Sequence, residues 1–421
     1  MSLVETDIGT IAPDWKVVPL KNVAKKPQYG LTTKAAKAGD TQFLRITDIT
    51  DQGVNWATVP FCSAPKKKID TCRLKSGDIV FARIGATTGK SYMITDPPDA
   101  VFASYLIRVR AGEELEPRFL IHFFQSRGYW EQVDANKHAN LKKGVNGSIL
   151  SELLIPLPPL PEQKKIAHIL STVQRAIEVQ ERIIQTTTEL KKALTHKLLT
   201  EGLRGEPKKQ TEIGLVPESW ELVEIGDLGK CVTGSTPKTK VASFYNPPSE
   251  DFIAPADLGS RRYVYESEKK ISPDGMATIR PLPKNAVLCV CIGSSIGKVG
   301  MSYREQSATN QQINSIICKI GRDPEFVYYL LSCRWEYWKS FSTFGPVPIL
   351  SKGRFTSIAV AIPSSVEEQQ AIAEPLIALE TKIEVVEKKV AALNDLFRTL
   401  LHELMTAKTR VHEIEFSTPD S

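Results

Sequence analysis

The sequence predicts an α+β fold: two pseudo-repeated mixed α/β domains separated by an antiparallel coiled coil of two long helices. Three observations carry this. Blocks of sequence recur in the same order at an offset of 204–208 residues. An apolar seam at alternating spacings of four and three runs through the end of each half. Before each seam lie short apolar runs punctuated by Gly, Asp and Pro, the pattern of strands.

The repeat is read from four pairs of blocks. Thr6-Asp7-Ile8-Gly9, with Pro13 and Trp15, returns as Thr211-Glu212-Ile213-Gly214, with Pro217 and Trp220. Ile84-Gly85 and Gly89-Lys90 return as Ile292-Gly293 and Gly297-Lys298. "PRFLIHFFQSRGYW" (117–130) matches the pattern of "PEFVYYLLSCRWEYW" (324–338), and both read as helical patches. Glu162-Gln163 with Ile166-Ala167 returns as Glu368-Gln369 with Ile372-Ala373. One match is chance; four in order make a tandem repeat of about 206 residues. It divides the chain into a first domain (1–155), a first helix with linker (156–205), a second domain (206–362) and a second helix with tail (363–421).

In the first domain "FLRI" (43–46), "DIVFARI" (78–84), "SYMI" (91–94) and "YLIRVR" (105–110) are strand runs. The domain ends at "LPPLPEQKKIAHIL" (157–170). Pro156, Pro158, Pro159 and Pro161 hold the chain extended. Helix starts at Pro161-Glu162, with proline at the first position and acid at the positive end of the dipole. Its seam is Ile166, Leu170, Val173, Ile177, Ile184, Leu194 and Leu198, interrupted by Gln180, Thr187 and Lys191. That interruption suits a partner-facing stretch or a solvated face equally well. "EGLRGEPKKQ" (201–210) reads as turn and linker. The second junction is "IPSSVEEQQAIAEPL" (362–376), with Ser364 or Ser365 as cap. Its seam is unbroken: Ile372, Leu376, Leu379, Ile383, Val386, Val390, Leu393, Phe397, Leu400 and Leu404. Pro375 predicts that the regular helix begins near it. If the seams bury each other, the helices run antiparallel, as a rod of about 60 Å.

The composition is that of a globular protein: 42% hydrophobic and 24% charged, with a net charge of +6 that permits a polyanionic partner without demanding one. No apolar run is long enough for a membrane helix, and "MSLVETDIGT" lacks a secretory pattern. Seven cysteines without a Cys-x-x-Cys pair argue against structural zinc and for a reducing, cytoplasmic setting.

Three stretches come near catalytic motifs. "GATTGKS" (85–91) has three residues between its glycines where a phosphate loop needs four, and a strand pattern follows. "GSSIG" (293–297) matches a nucleophile elbow without the helix that should follow. "NPPS" (246–249) carries Ser249 where a base-flipping methyltransferase places an aromatic. A turn accounts for each. The sequence offers no catalytic residue and no metal ligand set.

Two related domains on a rod suit bipartite recognition, and DNA is the natural extended partner. In the first domain the candidate contacts are Tyr29, Thr32, Thr33, Lys34, Arg83, Lys90, Asn140, Lys142 and Lys143. In the second they are Ser235, Thr236, Lys238, Lys240, Arg261, Lys298, Lys352 and Arg354. Each set mixes cations for phosphates with amides, hydroxyls or a phenol for base edges.

"PLPPLPEQKKIA" leading into a long helix resembles the first conserved region of type I restriction–modification specificity subunits. "STPKTKVASFYN", "VLCVCIGSSIGKVGMS", "TNQQINSI" (309–316) and "FLRITDI" (43–49) resemble recurring stretches of their target-recognition domains. "TTEL" (187–190) is similar to the short repeat of their spacer helix. The second junction departs from the pattern, with Ser364, Ser365 and Val366 in place of prolines. The resemblance implies a non-catalytic subunit that binds split double-stranded DNA, one half-site per domain. Its helices would dock two modification (methyltransferase) subunits, and restriction subunits would join them. S-adenosylmethionine, ATP and Mg would belong to those partners; this chain would bind no cofactor. A protein-binding scaffold, a degenerate methyltransferase resting on "NPPS", and the recognition subunit of another restriction system remain as alternatives.

Overall fold

The computed structural model describes residues 4–6, 8–50, 53–85, 87–139, 145–259, 261–343 and 345–411. The chain divides into two compact units, Met1–Ile183 with Val386–Ser421, and Ile184–Val385.

In the first unit an antiparallel sheet runs in the order Ser91–Met93, Ile79–Ala82, Leu106–Val109, Gln28–Tyr29. A second sheet sets Thr41–Leu44 parallel to Ala100–Phe102 and antiparallel to Phe61–Cys62. A third pairs Lys16–Pro19 with Leu154–Leu157. The strands of the first sheet that pair on both sides, Ile79–Ala82 and Leu106–Val109, are buried throughout; the first is apolar at every position and the second at every position but Arg108. Helix Pro117–Phe123 packs Phe119, Leu120 and Phe123 into the core with Tyr129 of helix Arg127–Ala139.

The second unit repeats this plan. Its main sheet runs Gly229–Thr233, Ile313–Cys318, Val287–Val290, Val299–Ser302, Tyr263–Val264. A smaller sheet orders Lys270–Ile271, Glu250–Ile253 and Ala308–Thr309, and a ribbon pairs Trp220–Glu224 with Ala359–Pro363. Helix Pro324–Cys333 takes the place of Pro117–Phe123. Burial pushes up the thiols of Cys289 and Cys318 in the main sheet and of Cys291 just after Val287–Val290, Cys291 and Cys318 to about 12 and Cys289 well above its usual range, so they stay protonated.

The linker expectation is corrected at 208–211: Lys208–Thr211 is a strand paired with Gly214–Pro217. The two-residue turn at Glu212-Ile213 lets this polar run close a hairpin.

The long helices are Leu160–Glu201 and Val366–Met405. In the first unit Ile166 and Leu170 share a core with Leu401, Leu404 and Met405. In the second, Leu198 and Leu199 share one with Ile372 and Leu376. The start of each helix meets the end of the other, so the pair is antiparallel. All ten seam positions of each helix are buried or half-buried, including Gln180, Thr187 and Lys191. Lys191 reaches the buried carboxylate of Glu380 at 3.1 Å, and Thr187 is itself buried. At Lys191 the polar interruption therefore faces the other helix.

The second helix begins at Val366, not near Pro375. Ser365 caps it, accepting from the Glu368 N–H at 3.2 Å. Pro375 lies inside, and the hydrogen bond it forgoes is offset by Ile372, Ala373 and Leu376, all buried in the domain core.

The duplicated Glu-Gln now has a physical cause. In the first unit Trp15 Nε1 donates to Glu162 (3.1 Å) and Arg410 Nε donates to the same carboxylate (2.8 Å). In the second, Trp220 Nε1 donates to Glu368 (3.4 Å) and Arg204 lies 3.2 Å from it. Each glutamine is fully buried and pins its domain to its helix. Gln163 accepts from the Glu116 N–H (2.9 Å) and donates to the carbonyls of Glu114 and Pro158. Gln369 accepts from the Asp323 N–H (2.9 Å) and donates to the Pro363 carbonyl.

The two units differ where the domain helix meets the rod. His122 is buried, its Nε2 2.9 Å from Ser171 Oγ and its ring 5.9 Å from that of Phe397. At the equivalent place Tyr329 donates to Glu380 (2.6 Å), with Arg262 between Tyr329 and Glu325. Burial holds the His122 imidazole down from 6.5 to about 4. The unfolded chain takes up a proton near pH 6.5 that the folded unit refuses until about pH 4. Stability of the first unit should thus fall as pH drops through that window, by roughly 3 kcal/mol at its acid end. His122→Gln should flatten that slope in urea titrations run at successive pH values.

Candidate nucleic-acid interface

In each unit the loops at one edge of the main sheet are tied together by backbone hydrogen bonds. In the first, the Leu31 N–H donates to the Phe102 carbonyl (2.8 Å) and Ser104 N–H to that of Leu31 (2.9 Å). Arg83 N–H donates to the Tyr105 carbonyl, and Val145 N–H to that of Arg83, both at 3.1 Å. In the second, Ser235 N–H donates to Thr309 (3.0 Å), Cys291 to Gln312 (2.8 Å) and Leu350 to Cys291 (2.8 Å). The frame is the same; the side chains mounted on it differ.

On the first frame the Arg83 guanidinium lies 5.1 Å from the Tyr29 ring centroid, and the Tyr29 hydroxyl accepts from the Gly147 N–H at 2.9 Å. Tyr105 projects beside them, 54% exposed. Strand Gln28–Tyr29 is held from within by Arg108. This buried guanidinium donates to the Gln28 amide oxygen and to the carbonyls of Thr71 (3.1 Å) and Arg73 (2.7 Å). Burial lowers its pKa, and Asp78 opposes that shift. Lys90 is exposed on the hairpin loop that ends at Arg83. Thr32 and Lys34 are exposed on the segment after Leu31, and Thr33 donates to the Ser63 carbonyl (3.3 Å). Asn140, Lys142 and Lys143 lie outside the described residues.

On the second frame Thr236 donates to Gln311 at 2.8 Å, and Ser235 precedes it. Exposed Lys238 and Lys240 continue that loop. Lys298 donates to the Pro255 carbonyl (3.1 Å), so its charge is partly spent inside the domain. Lys352 and Arg354 are exposed on the short helix Lys352–Thr356, which Ser351 caps. Its counterpart is Gly147–Glu152, capped by Asn146. Arg261 stands elsewhere: its charge falls beside Tyr265, a ring that also senses Glu384 of the second long helix.

Two of the three stretches that came near catalytic motifs lie at hairpins. "GATTGK" and "GSSIGK" each close a hairpin between paired strands, with Gly85, Gly89, Gly293 and Gly297 at positive φ. A Cβ on Gly89 would lie 3.1 Å from the Trp130 ring, and one on Gly297 would collide with Trp335 at 2.4 Å. Among the described residues no cluster of His, Cys, Asp or Glu is placed to hold a metal ion, and no helix is long and apolar enough to cross a membrane.

The same frames also carry Tyr105, Gln311 and Gln312, which are not among the candidates named from sequence. Tyr105 opens the run "YLIRVR" and is hidden there as a strand residue. Aligning the two repeats sets it opposite Gln312, a mismatch on a shared frame.

The family model for the type I restriction modification DNA specificity domain matches twice, at residues 13–189 and 217–395. The chain belongs to that family. Its specificity domains include the Glu-Gln junctions and most of both long helices. The MjaX specificity subunit of Methanocaldococcus jannaschii is 28% identical over 440 residues, 97% of this chain and 96% of that one. The type I restriction enzyme MjaVIII specificity subunit of the same organism is 28% identical over 286 residues, 65% of this chain and 66% of that one. The crystal structure of the S subunit from M. genitalium shares the specificity fold, with a TM-score of 0.61 at 16% identity, over 93% of this chain and 96% of that one.

Proposed function

We propose that this chain reads a bipartite DNA target, one half-site by each domain (1–155 and 206–362). Its two helical segments, the first helix with its linker (156–205) and the second helix with its tail (363–421), dock methyltransferase and restriction subunits of a type I restriction–modification complex. It works as a non-catalytic specificity subunit in the cytoplasm. S-adenosylmethionine, ATP and Mg would serve the partners.

One observation carries the reading. The same hydrogen-bonded loop frame is built twice and bears different side chains: Tyr29, Arg83 and Tyr105 on one, Thr236, Gln311 and Gln312 on the other. A shared frame with unlike tips is what two readers of unlike half-sites require. Arginine suits phosphate or guanine, and amides suit adenine.

Two measurements test it. Footprinting of the complex should give two protected half-sites around an unread gap; one continuous footprint would refute the bipartite claim. Arg83→Ala should weaken binding by about 10–100-fold, and its target logo should change in one half-site only. Affinity should fall steeply with salt. A protein-binding scaffold would show neither response.

A further inference from the structure

The first unit keeps a guanidinium in its interior where the second has a serine. Arg108 is 6% exposed, on strand Leu106–Val109. The carboxylate beside it is already engaged. Asp78 accepts from Arg110 at 2.5 and 2.7 Å and from the Lys75 N–H at 2.9 Å, and stands 3.6 Å from Arg108. The groups that Arg108 grips are neutral. They are the carbonyls of Thr71 and Arg73, at the end of helix Lys66–Cys72, and the Gln28 amide oxygen. Gln28 closes the triangle: its amide donates to the same Thr71 carbonyl at 3.0 Å and to the Cys72 sulfur at 3.5 Å.

The second unit shows the same sheet without that ion. Val80 and Leu288 stand five residues before Gly85 and Gly293, the glycines of the matched hairpins. Arg108 pairs with Val80 and Ser315 with Leu288; on the other side Arg108 pairs with Gln28 and Ser315 with Val232. Ser315 is fully buried, and its hydroxyl meets no partner among the described residues. Strand Gly229–Thr233 pairs along its whole length, whereas its counterpart Gln28–Tyr29 is two residues long. A short strand has little ladder to fix it, and here a side chain fixes it instead.

Stability alone does not call for this. A buried ion costs more to desolvate than a packed apolar side chain of the same size. What the guanidinium supplies is direction: a planar fork aimed at three acceptors permits one arrangement. That arrangement sets Gln28 against helix Lys66–Cys72. Tyr29 follows it in the strand and points to the opposite face. There its ring lies 5.1 Å from the Arg83 guanidinium, and its hydroxyl accepts from the Gly147 N–H.

We propose that Arg108, through Gln28, is a positioning residue for base recognition. It holds Tyr29 and the Arg83 guanidinium at one height and angle over the first half-site, and so sets sequence preference there without touching DNA. The base reading rests on the function proposed above; the strut rests on the geometry.

The test uses the full chain assembled with its methyltransferase partner and duplexes carrying single substitutions in either half-site. Wild type should lose about tenfold or more in affinity for each wrong base pair it reads. Arg108→Met with Gln28→Leu replaces the strut by apolar side chains of similar size, so the melting curve should stay near that of wild type. In this variant the loss should shrink to about threefold or less within the first half-site and stay as it was in the second. The salt dependence of binding should keep its slope, because Arg108 meets no phosphate. Gln28→Leu alone, at a half-buried position, should relax the first half-site in the same one-sided way, and it does not depend on how the double variant packs. A folded variant with unchanged preference in the first half-site would overturn the positioning role. So would an equal drop in affinity for every sequence, the mark of a purely structural part. A wild-type complex that reads no bipartite target would instead sink the proposed function.

Discussion

Lengthening both long helices by one heptad should move the half-sites apart and leave their sequences unchanged. Tandem duplication of residues 177–183 and 379–385 keeps the four–three spacing, so the seam continues without a break. Seven residues add about 10 Å to the rod, close to three base pairs of a parallel duplex. Three base pairs also rotate the second half-site by about 100°, so the preferred gap should grow by two or three. On the original target only one half-site could be engaged at a time. Losing the second, intramolecular contact should weaken binding by about 10²–10⁴-fold. Methylome sequencing of cells carrying the lengthened chain would show the shift. An unchanged gap would mean that the helices do not set the spacing.

Glu162→Leu should be the most damaging single change at a junction. Glu162 is 6% exposed and is held by Trp15 and Arg410, with Arg410 also bridging both oxygens of Asp14 at 2.8 Å. The acids on either side hold the Arg410 guanidinium still further toward its charged form. Removing Glu162 leaves the indole N–H without its acceptor and takes one of two carboxylates from a guanidinium that Asp14 still holds, at a cost of about 1–3 kcal/mol. For a unit of this size that lowers the melting temperature by roughly 5 °C. Glu368→Leu should cost less, because its indole contact is longer (3.4 Å) and Arg204 is 64% exposed. Equal losses in the two variants would show that the junctions do not depend on these contacts.

Most of the architecture is legible in the sequence because it is periodic twice over, every 206 residues and every heptad. What escaped has local causes. The polar stretch Gln180–Thr187–Lys191 read ambiguously because its counter-charge, Glu380, lies off the heptad seam of the other helix. Pro375 misplaced a helix start because backbone propensity is visible in sequence and the burial that overrides it is not. The candidate contact loops were chosen by their lysines, glycines and hydroxyls, which mark turns as readily as binding. Charge alone put Arg261 with the loop cluster. Tyr105 escaped because an exposed aromatic at a strand start looks like the first residue of a core run.

The glycine-to-indole contact has a consequence for engineering. Gly89 closes the hairpin next to Arg83, and Trp130, which rests on it, lies on the helix that leads toward Val145 on the same frame. Hairpin and helix therefore fit only as a matched cassette, and Gly297 with Trp335 makes a second one. Transplanting new sequence preference into either domain means moving the whole block from hairpin to capped short helix. A loop carried over by itself would meet a ring shaped for a different neighbour.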